Sequence, residues 1–187
     1  MSEQIGVGII TCNRPDFFKK CRESIKHEWY NHIVVVNDGN GPIFDAEAPV
    51  IGTSGMDGVG RAKNRAIEYL LDKNCDYIIL VEDDMLFKGN LFEQYIKAHK
   101  KTGIHHLMFA YHGPANKGNV SKGKPMPRKI IDYGDVKISL NQHCVGAVCF
   151  YTKECLEAVG SYDETYTNAF EHACSSTKSK LFAISAH

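Results

Sequence analysis

Three short apolar runs constrain the fold of this chain more than any other feature of its sequence. They are Ile5 to Ile10, Ile33 to Val36 and Tyr77 to Val81. A half-exposed antiparallel strand would alternate apolar and polar side chains, whereas a strand that is buried on both faces is apolar almost throughout. The three runs therefore predict a central, mostly parallel sheet that is covered on both faces.

Amphipathic stretches between these runs predict the helices that cover the sheet. Pro15 to Trp29 and Gly60 to Lys73 each place apolar side chains on one stripe at helical spacing. Asn13 is expected to cap the first helix and Pro15 to open it. A third helix is expected from Leu91 to Lys101. The alternation of strand and helix predicts an α/β fold, with helices flanking the sheet.

The second half of the chain is less regular. The expected elements are a strand from His106 to Tyr111, a surface loop from His112 to Pro127, a hairpin from Lys129 to Leu140, a strand from Val145 to Tyr151 and a helix from Lys153 to Val159. A chain of 187 residues with 43% hydrophobic content is long enough for one domain and short for two. We therefore expect a single domain over residues 1–187.

Charge and composition disfavour several classes of protein. Lys plus Arg and Asp plus Glu both total 22, so the zero net charge gives no reason to expect a nucleic-acid partner. The first apolar run is too short to span a bilayer and lacks a basic leader, so we expect no transmembrane segment and no signal peptide. The 7 cysteines form no CxxC pair, which favours reduced thiols and a cytoplasmic location.

Polar residues follow each of the three apolar runs. The segments are Thr11-Cys12-Asn13-Arg14, Asn37-Asp38-Gly39 and Glu82-Asp83-Asp84. Ligands of an open parallel sheet bind beyond the carboxyl ends of its strands. These three segments are therefore the candidate ligand-binding residues.

The acidic run Glu82-Asp83-Asp84 needs compensation for its charge. Three adjacent carboxylates at the end of a buried strand repel one another unless a cation or a hydrogen-bond network stabilises them. A divalent metal is the simplest solution, and oxygen ligands select a hard ion such as Mg²⁺ or Mn²⁺. The alternative is a solvated turn in which Asp83 or Asp84 caps the next segment.

The ordered set of motifs resembles the GT-A glycosyltransferases, notably those of the family-two type. The motifs are Thr-x-Asn-Arg-Pro, Asn-Asp-Gly, Gly-x-Gly-Arg-Ala-x-Asn and Glu-Asp-Asp, followed by Val145 to Phe150, Gly160 to Glu164 and Phe170-Glu171-His172. The resemblance extends from Ile5 to about His172. It implies a Rossmann-like nucleotide-binding half over about residues 1–111 and an acceptor-side half over about 112–187, which is shortened here.

The resemblance implies a set of nucleotide contacts. In chain order they are Thr11, Asn13, Arg14, Asp38, Arg61, Asn64, Glu82 and Asp83. Asp38 would contact the base or ribose, and Arg61 and Asn64 would face the nucleotide or its diphosphate. The alternative for each of these residues is a structural role, as a helix cap, a turn residue or part of an exposed helix face.

The resemblance also implies a divalent cofactor, Mn²⁺ or Mg²⁺. Asp84 would be its principal ligand, and Glu82 stands where the family has the first Asp of Asp-x-Asp, as a ribose or metal contact. Some relatives use a late histidine as a further ligand, which makes His187 a candidate unless it is only a frayed terminus.

By the same resemblance the chain is an inverting glycosyltransferase that moves a sugar from a nucleotide-sugar, in the first place a UDP-sugar, to a glycan or other hydroxyl acceptor. Glu171 would be the general base, or a solvated carboxylate at a helix start; His172 would be a base, a ligand or a helix-start residue. Two alternatives remain: a truncated module that binds nucleotide and metal without turnover, and a nucleotidyltransferase. A nucleotidyltransferase would carry a Gly-rich basic loop after its first strand, and residues 11–15 are not such a loop.

Overall fold

The computed structural model of the chain describes residues 2–110, 127–141, 144–165 and 182–184. The strands in these ranges are β1 (Ile5–Thr11), β2 (His32–Asn37), β3 (Val50–Gly52), β4 (Tyr77–Glu82), β5 (His106–Ala110), β6 (Lys129–Asp132), β7 (Lys137–Leu140), β8 (Cys144–Thr152) and β9 (Phe182–Ile184). The α-helices are α1 (Pro15–Ser24), α2 (Val59–Asp72), α3 (Leu91–Thr102) and α4 (Lys153–Val159).

The central sheet has seven strands in the order β3-β2-β1-β4-β8-β5-β9. Strand β8 is antiparallel to both of its neighbours, and every other neighbouring pair is parallel. Strands β6 and β7 form a separate antiparallel hairpin. These observations confirm the predicted α/β fold with a mostly parallel central sheet flanked by helices.

Helix α2 packs closely against the centre of the sheet because β1 carries glycines beneath it. A Cβ atom added at Gly8 would lie 2.7 Å from Cβ of Ala66 and 3.1 Å from Leu80. Ala66 and Leu70 are fully buried on the helix face that covers β1. The small residues in β1 therefore set the distance between the sheet and α2, the helix whose first turns reach the candidate site.

Helix α1 is shorter than the sequence predicts. Its apolar stripe predicts a continuous helix to Trp29, whereas the helix ends at Ser24 and a 3₁₀ turn covers His27–Trp29. Ile25 adopts an extended conformation that ends the helix and remains buried. Trp29 then packs edge-on against Phe92 of α3, with 5.9 Å between ring centroids. Tertiary packing therefore buries the predicted residues without one long helix.

Strand β3 is a second difference, because no pattern in the sequence predicts it. It is three residues long and pairs in parallel with β2 at the edge of the sheet, which is too short for a periodic pattern. By contrast, the bounds of α4 and the hairpin turn between β6 and β7 agree with the sequence prediction. Within the described ranges, no helix combines the length and the apolar character needed to cross a membrane.

An aromatic cluster of His106, Tyr151 and Tyr162 lies in the core on the face covered by α2 and α4. The His106 ring stacks on Tyr151, with centroids 4.1 Å apart and planes at 10°. The hydroxyl groups of Tyr151 and Tyr162 are hydrogen-bonded to each other. Burial lowers the pKa of His106 to about 4 and raises that of Tyr162 well above its usual range.

Candidate functional site

The polar ends of β1, β2 and β4 meet at one edge of the sheet, as the sequence predicts. Thr11 and Asn37 are register partners, and the Asp38 N–H donates to the Thr11 carbonyl at 2.8 Å. On the other side of β1, the Asp83 N–H donates to the Ile10 carbonyl at 3.1 Å. The three polar segments are therefore fixed to one another by backbone hydrogen bonds.

Asn13 holds the β1 and β2 loops together. Its Oδ1 accepts hydrogen bonds from the N–H groups of Asn40 and Gly41 at 2.9 and 3.4 Å. A Cβ atom at Gly39 would lie 2.5 Å from the Asn13 backbone nitrogen, so only glycine fits there. The prediction that Asn13 caps α1 is wrong: Arg14 stands at that position and makes no capping bond, although Pro15 does open the helix. Asn13 instead takes a left-handed conformation, φ 54°, which directs its amide to the second loop.

Asp38 organises the approach to α2 and is 5% exposed. Its Oδ1 accepts from the Thr53 hydroxyl at 2.7 Å and from the Asp57 N–H at 2.9 Å, and its Oδ2 accepts from the Gly58 N–H at 3.0 Å. Gly58 immediately precedes α2 at a φ of 107°. The carboxylate therefore lies near the positive end of the α2 dipole and is held there by uncharged donors.

The three carboxylates of the acidic run, with Arg14 and Lys63, form what we call the acidic corner. Glu82 Oε1 lies 2.9 Å from Nζ of Lys63, a fully buried residue. Asp83, whose side chain is also fully buried, accepts a hydrogen bond of 2.7 Å from the Thr11 hydroxyl and pairs with the Arg14 guanidinium. Burial raises the pKa of Asp83, and the Thr11 and Arg14 contacts oppose that rise. Two fixed cations therefore compensate the run.

Asp84 is the most exposed of the three carboxylates. Its side chain is 41% exposed, against 26% for Glu82 and 0% for Asp83, and its Oδ2 lies 3.3 Å from Arg14 Nη1. Among the residues that the structure describes, no group of three or more His, Cys, Asp or Glu side chains could hold a metal. A hard ion such as Mg²⁺ is commonly held by one or two carboxylates together with phosphate oxygens, so Asp84 fits the role of anchor for such an ion.

Arg61 and Asn64, in the first turns of α2, both contact Glu164. Arg61 Nε and Asn64 Nδ2 each donate to its carboxylate at 3.0 Å, and they lower the pKa of Glu164. Asn64 also binds the backbone of Tyr162, donating to its carbonyl at 3.0 Å and accepting from its N–H at 2.8 Å. These two residues, predicted as nucleotide contacts, thus join α2 to residues 162–164.

Sequence reasoning missed Lys63 and Glu164. Lys63 lies on the buried stripe of α2, at helical spacing from Val59, Ala66 and Ile67, where an unpaired lysine would be costly. A lysine on an apolar helix stripe therefore predicts a buried acidic partner, and this signal could have identified Lys63. Nothing local marked Glu164, because its partner Arg61 is 103 residues away.

Three predicted residues, Glu171, His172 and His187, lie outside the residues that the structure describes. Their roles as base and metal ligand therefore stay predictions.

Similarity to known proteins is seen in the fold. No family model and no curated protein sequence matches the chain. Solved structures do: S. aureus TarS, residues 1–349, has a TM-score of 0.66 at 12% identity, with 98% of this chain and 58% of that chain covered. The same protein in complex with UDP gives a TM-score of 0.64 at the same identity and coverage.

A second structure of the same fold is the mannosyltransferase PcManGT from Pyrobaculum calidifontis in complex with GDP-Man and Mn²⁺. It has a TM-score of 0.59 at 12% identity, with 100% of this chain and 55% of that chain covered. The chain therefore spans little more than half the length of these proteins. It shares with TarS and with a mannosyltransferase an α/β fold in which helices flank a mostly parallel sheet.

Proposed function

We propose that the chain is a metal-dependent glycosyltransferase that moves a sugar from a nucleotide-sugar, UDP-linked in the first instance, to a hydroxyl group of a glycan or other acceptor. The observation that carries this proposal is the acidic corner. It places Asp84, exposed and beside Arg14, at the edge where β1, β2 and β4 end. The likeness to proteins solved with UDP or with GDP-Man and Mn²⁺ supports it.

Arg14 would bind the donor diphosphate. Its side chain is 43% exposed and pairs with both Asp83 and Asp84. The guanidinium can therefore keep its ion pair with the buried Asp83 while its other N–H groups donate to phosphate oxygens. Arg61, equally exposed in the first turn of α2, adds positive charge at a helix start. Asp38, Thr11, Asn13 and Asn64 would act mainly by holding the loops that shape the nucleotide pocket.

Asp84 would hold the divalent ion, Mn²⁺ or Mg²⁺, with His187 as a further proposed ligand. When bound, such an ion supplies Lewis-acid stabilisation of the charge on the departing nucleotide diphosphate. Asp83 orients Arg14 from beneath, and Thr11 orients Asp83 through its hydroxyl hydrogen bond. The chain itself therefore contributes a preorganised arrangement of charge rather than a flexible one.

Glu171 remains the proposed general base, with His172 as the second candidate. The base would take the proton from the acceptor hydroxyl as its oxygen attacks the anomeric carbon and the bond to the nucleotide diphosphate breaks. A carboxylate suits this role because it is charged at neutral pH and needs no cofactor.

A binding module without turnover is a second candidate function. The charges of the acidic corner would serve such a module as well as they serve an enzyme. Such a module would bind nucleotide and metal at the same edge of the sheet but would lack acceptor-side residues.

Calorimetry with UDP and GDP, with and without Mn²⁺, tests the proposal, using wild type and Asp84→Asn. We expect Mn²⁺-dependent nucleotide binding that is about tenfold weaker in Asp84→Asn, since one of the charges that hold the ion is lost. Absence of nucleotide binding in the presence of Mn²⁺ would contradict both candidate functions. Release of UDP from UDP-sugars in the presence of sugar acceptors, abolished in Glu171→Gln, separates the enzyme from the binding module.

A further inference from the structure

Lys63 is an unusual residue for the interior of a helix packed on a sheet. It is fully buried, and within the described ranges its ammonium group contacts β4, β8 and Tyr162. Nζ lies 2.9 Å from Glu82 at the end of β4 and donates to the carbonyl of Gly146 in β8 at 3.0 Å. It also lies 5.7 Å from the centroid of the Tyr162 ring, within the range of a cation–π contact.

The charges of the acidic corner are unevenly compensated as a result. Arg14 forms ion pairs with Asp83 and Asp84. Of the three carboxylates, Lys63 pairs with Glu82. The Lys63 side chain is 0% exposed, so water cannot replace Glu82 as the partner of its ammonium group while α2 stays packed on the sheet. Glu82 is therefore bound to a cation that belongs to the fold.

We infer that Lys63 is a positioning residue that removes Glu82 from the set of metal ligands. A divalent ion bound to Glu82 would share that carboxylate with the Lys63 ammonium. The two positive charges would then repel each other across one carboxylate group. The ion is then left with Asp84 and with oxygens that the donor supplies. This inference deepens the proposed function and rests on it for the presence of a metal.

Lys63 also links the acidic corner to the acceptor side. Gly146 lies near the start of β8, and Tyr162 is held by the neighbouring Asn64 through both its backbone groups. One helical turn of α2 thus fixes the end of β4, the start of β8 and residues 162–164 in one arrangement. Loss of the ammonium group would loosen all three contacts together.

Electron paramagnetic resonance titration of Mn²⁺ alone, without nucleotide, tests the inference on four forms, namely wild type, Glu82→Gln, Lys63→Met and the double variant, with Asp84→Asn as the reference for loss of a ligand. We expect Glu82→Gln to weaken Mn²⁺ binding by less than about threefold, well short of Asp84→Asn, because this variant loses a charge near the ion but not one of its ligands. Lys63→Met should bind Mn²⁺ about tenfold more tightly, since a nearby positive charge is lost and Glu82, a quarter exposed, becomes available. The double variant should return to the wild-type value.

Thermal unfolding of the same four forms gives a readout that needs no metal. Lys63→Met should lower Tm, and adding Glu82→Gln to it should restore part of that loss, because the uncompensated charge is gone. Should Lys63→Met fail to fold, Glu82→Gln still decides the matter.

Two results would overturn the inference. One is a loss of Mn²⁺ affinity in Glu82→Gln as large as that in Asp84→Asn. The other is a folded Lys63→Met protein that binds Mn²⁺ no more tightly than wild type. Failure of the proposed function would be a different result, the absence of nucleotide binding to wild type with Mn²⁺ present.

Discussion

The acidic corner and the aromatic cluster both bury ionisable groups, but they do so in opposite ways. At the corner, the carboxylates of Glu82 and Asp83 are paired with Lys63 and Arg14. In the cluster, burial without a counter-ion lowers the pKa of His106 to about 4 and raises that of Tyr162, so both side chains are neutral at pH 7.

The difference separates a ligand edge from a structural core. Keeping charge in a buried setting requires groups that stabilise it, and at the acidic corner these groups are the side chains of Lys63 and Arg14. In the aromatic cluster, stacking and a hydroxyl pair join three side chains that are themselves uncharged. The two regions should therefore respond differently to pH and to substitution.

The largest expected effect is on the cluster at acid pH. His106 has a pKa of about 4 in the folded chain against 6.5 ordinarily, so between these values the unfolded chain binds more protons and stability falls as pH falls. The loss should reach roughly 3 kcal/mol by pH 4. Urea unfolding from pH 7 to pH 4 should show it in wild type and in the exposed-histidine control His27→Gln. In His106→Phe the free energy of unfolding should fall by roughly 3 kcal/mol less over this pH range. If His106→Phe shows the same pH dependence as wild type, the lowered pKa is not that of His106.

A smaller effect is expected when the corner loses one of its cations. Arg14→Met leaves the fully buried Asp83 carboxylate without its counter-ion, which should lower the free energy of unfolding by about 2 kcal/mol. The figure is below that of a fully buried pair because Arg14 is 43% exposed. Urea unfolding at pH 7 measures it, with Arg14→Lys expected to retain part of the stability. Equal stability of Arg14→Met and the exposed-arginine control Arg128→Met would show that the pair is unimportant.

The uncharged pair in the cluster should matter less. Tyr162→Phe removes one hydroxyl from the hydrogen bond with Tyr151 and leaves the ring in place, at a cost of about 1 kcal/mol. Guanidinium unfolding at pH 7 checks this, with Tyr133→Phe, at a half-buried ring outside the cluster, as a control. A loss above that of Arg14→Met would reverse the comparison between the two regions.

The smallest effect on stability is expected at Asp84. Its carboxylate is 41% exposed, so Asp84→Asn should change the free energy of unfolding by less than about 0.5 kcal/mol. Differential scanning calorimetry of the metal-free protein should give nearly superimposable transitions for the variant and wild type. A large destabilisation would mean that the Asp84 carboxylate stabilises the fold, which would argue against its proposed role as a metal ligand.

Much of the fold could be predicted because the three apolar runs are nearly continuous and the helices between them are amphipathic. The end of α1 could not, because tertiary packing buries Ile25 and half-buries Trp29 after the helix has ended at Ser24. Strand β3 could not either, since its three residues carry no periodic signal.

The candidate site was predictable where it follows from topology and unpredictable where it depends on distant pairs. The convergence of Thr11, Asp38 and Asp83 follows from parallel strands ending at one edge. The counter-ions of the acidic run do not follow from local sequence, since Glu82 and its partner Lys63 lie 19 residues apart on different elements. Three adjacent carboxylates predict a cation or a hydrogen-bond network beside them, and Arg14, Lys63 and the Thr11 hydroxyl supply both.

The reversed direction of β8 has a consequence for engineering. Because β8 runs against its neighbours, the chain leaves the sheet at Ala110 and re-enters it at Cys144 on adjoining strands, at the edge where the acidic corner lies. The described part of the intervening segment is tied to the rest of the chain, because Val136 and Ile138 are buried in the hydrophobic core and Asp135 lies 3.1 Å from Nζ of Lys97 in α3. An exchange of this segment should therefore keep apolar side chains at positions 136 and 138, so that the core stays filled.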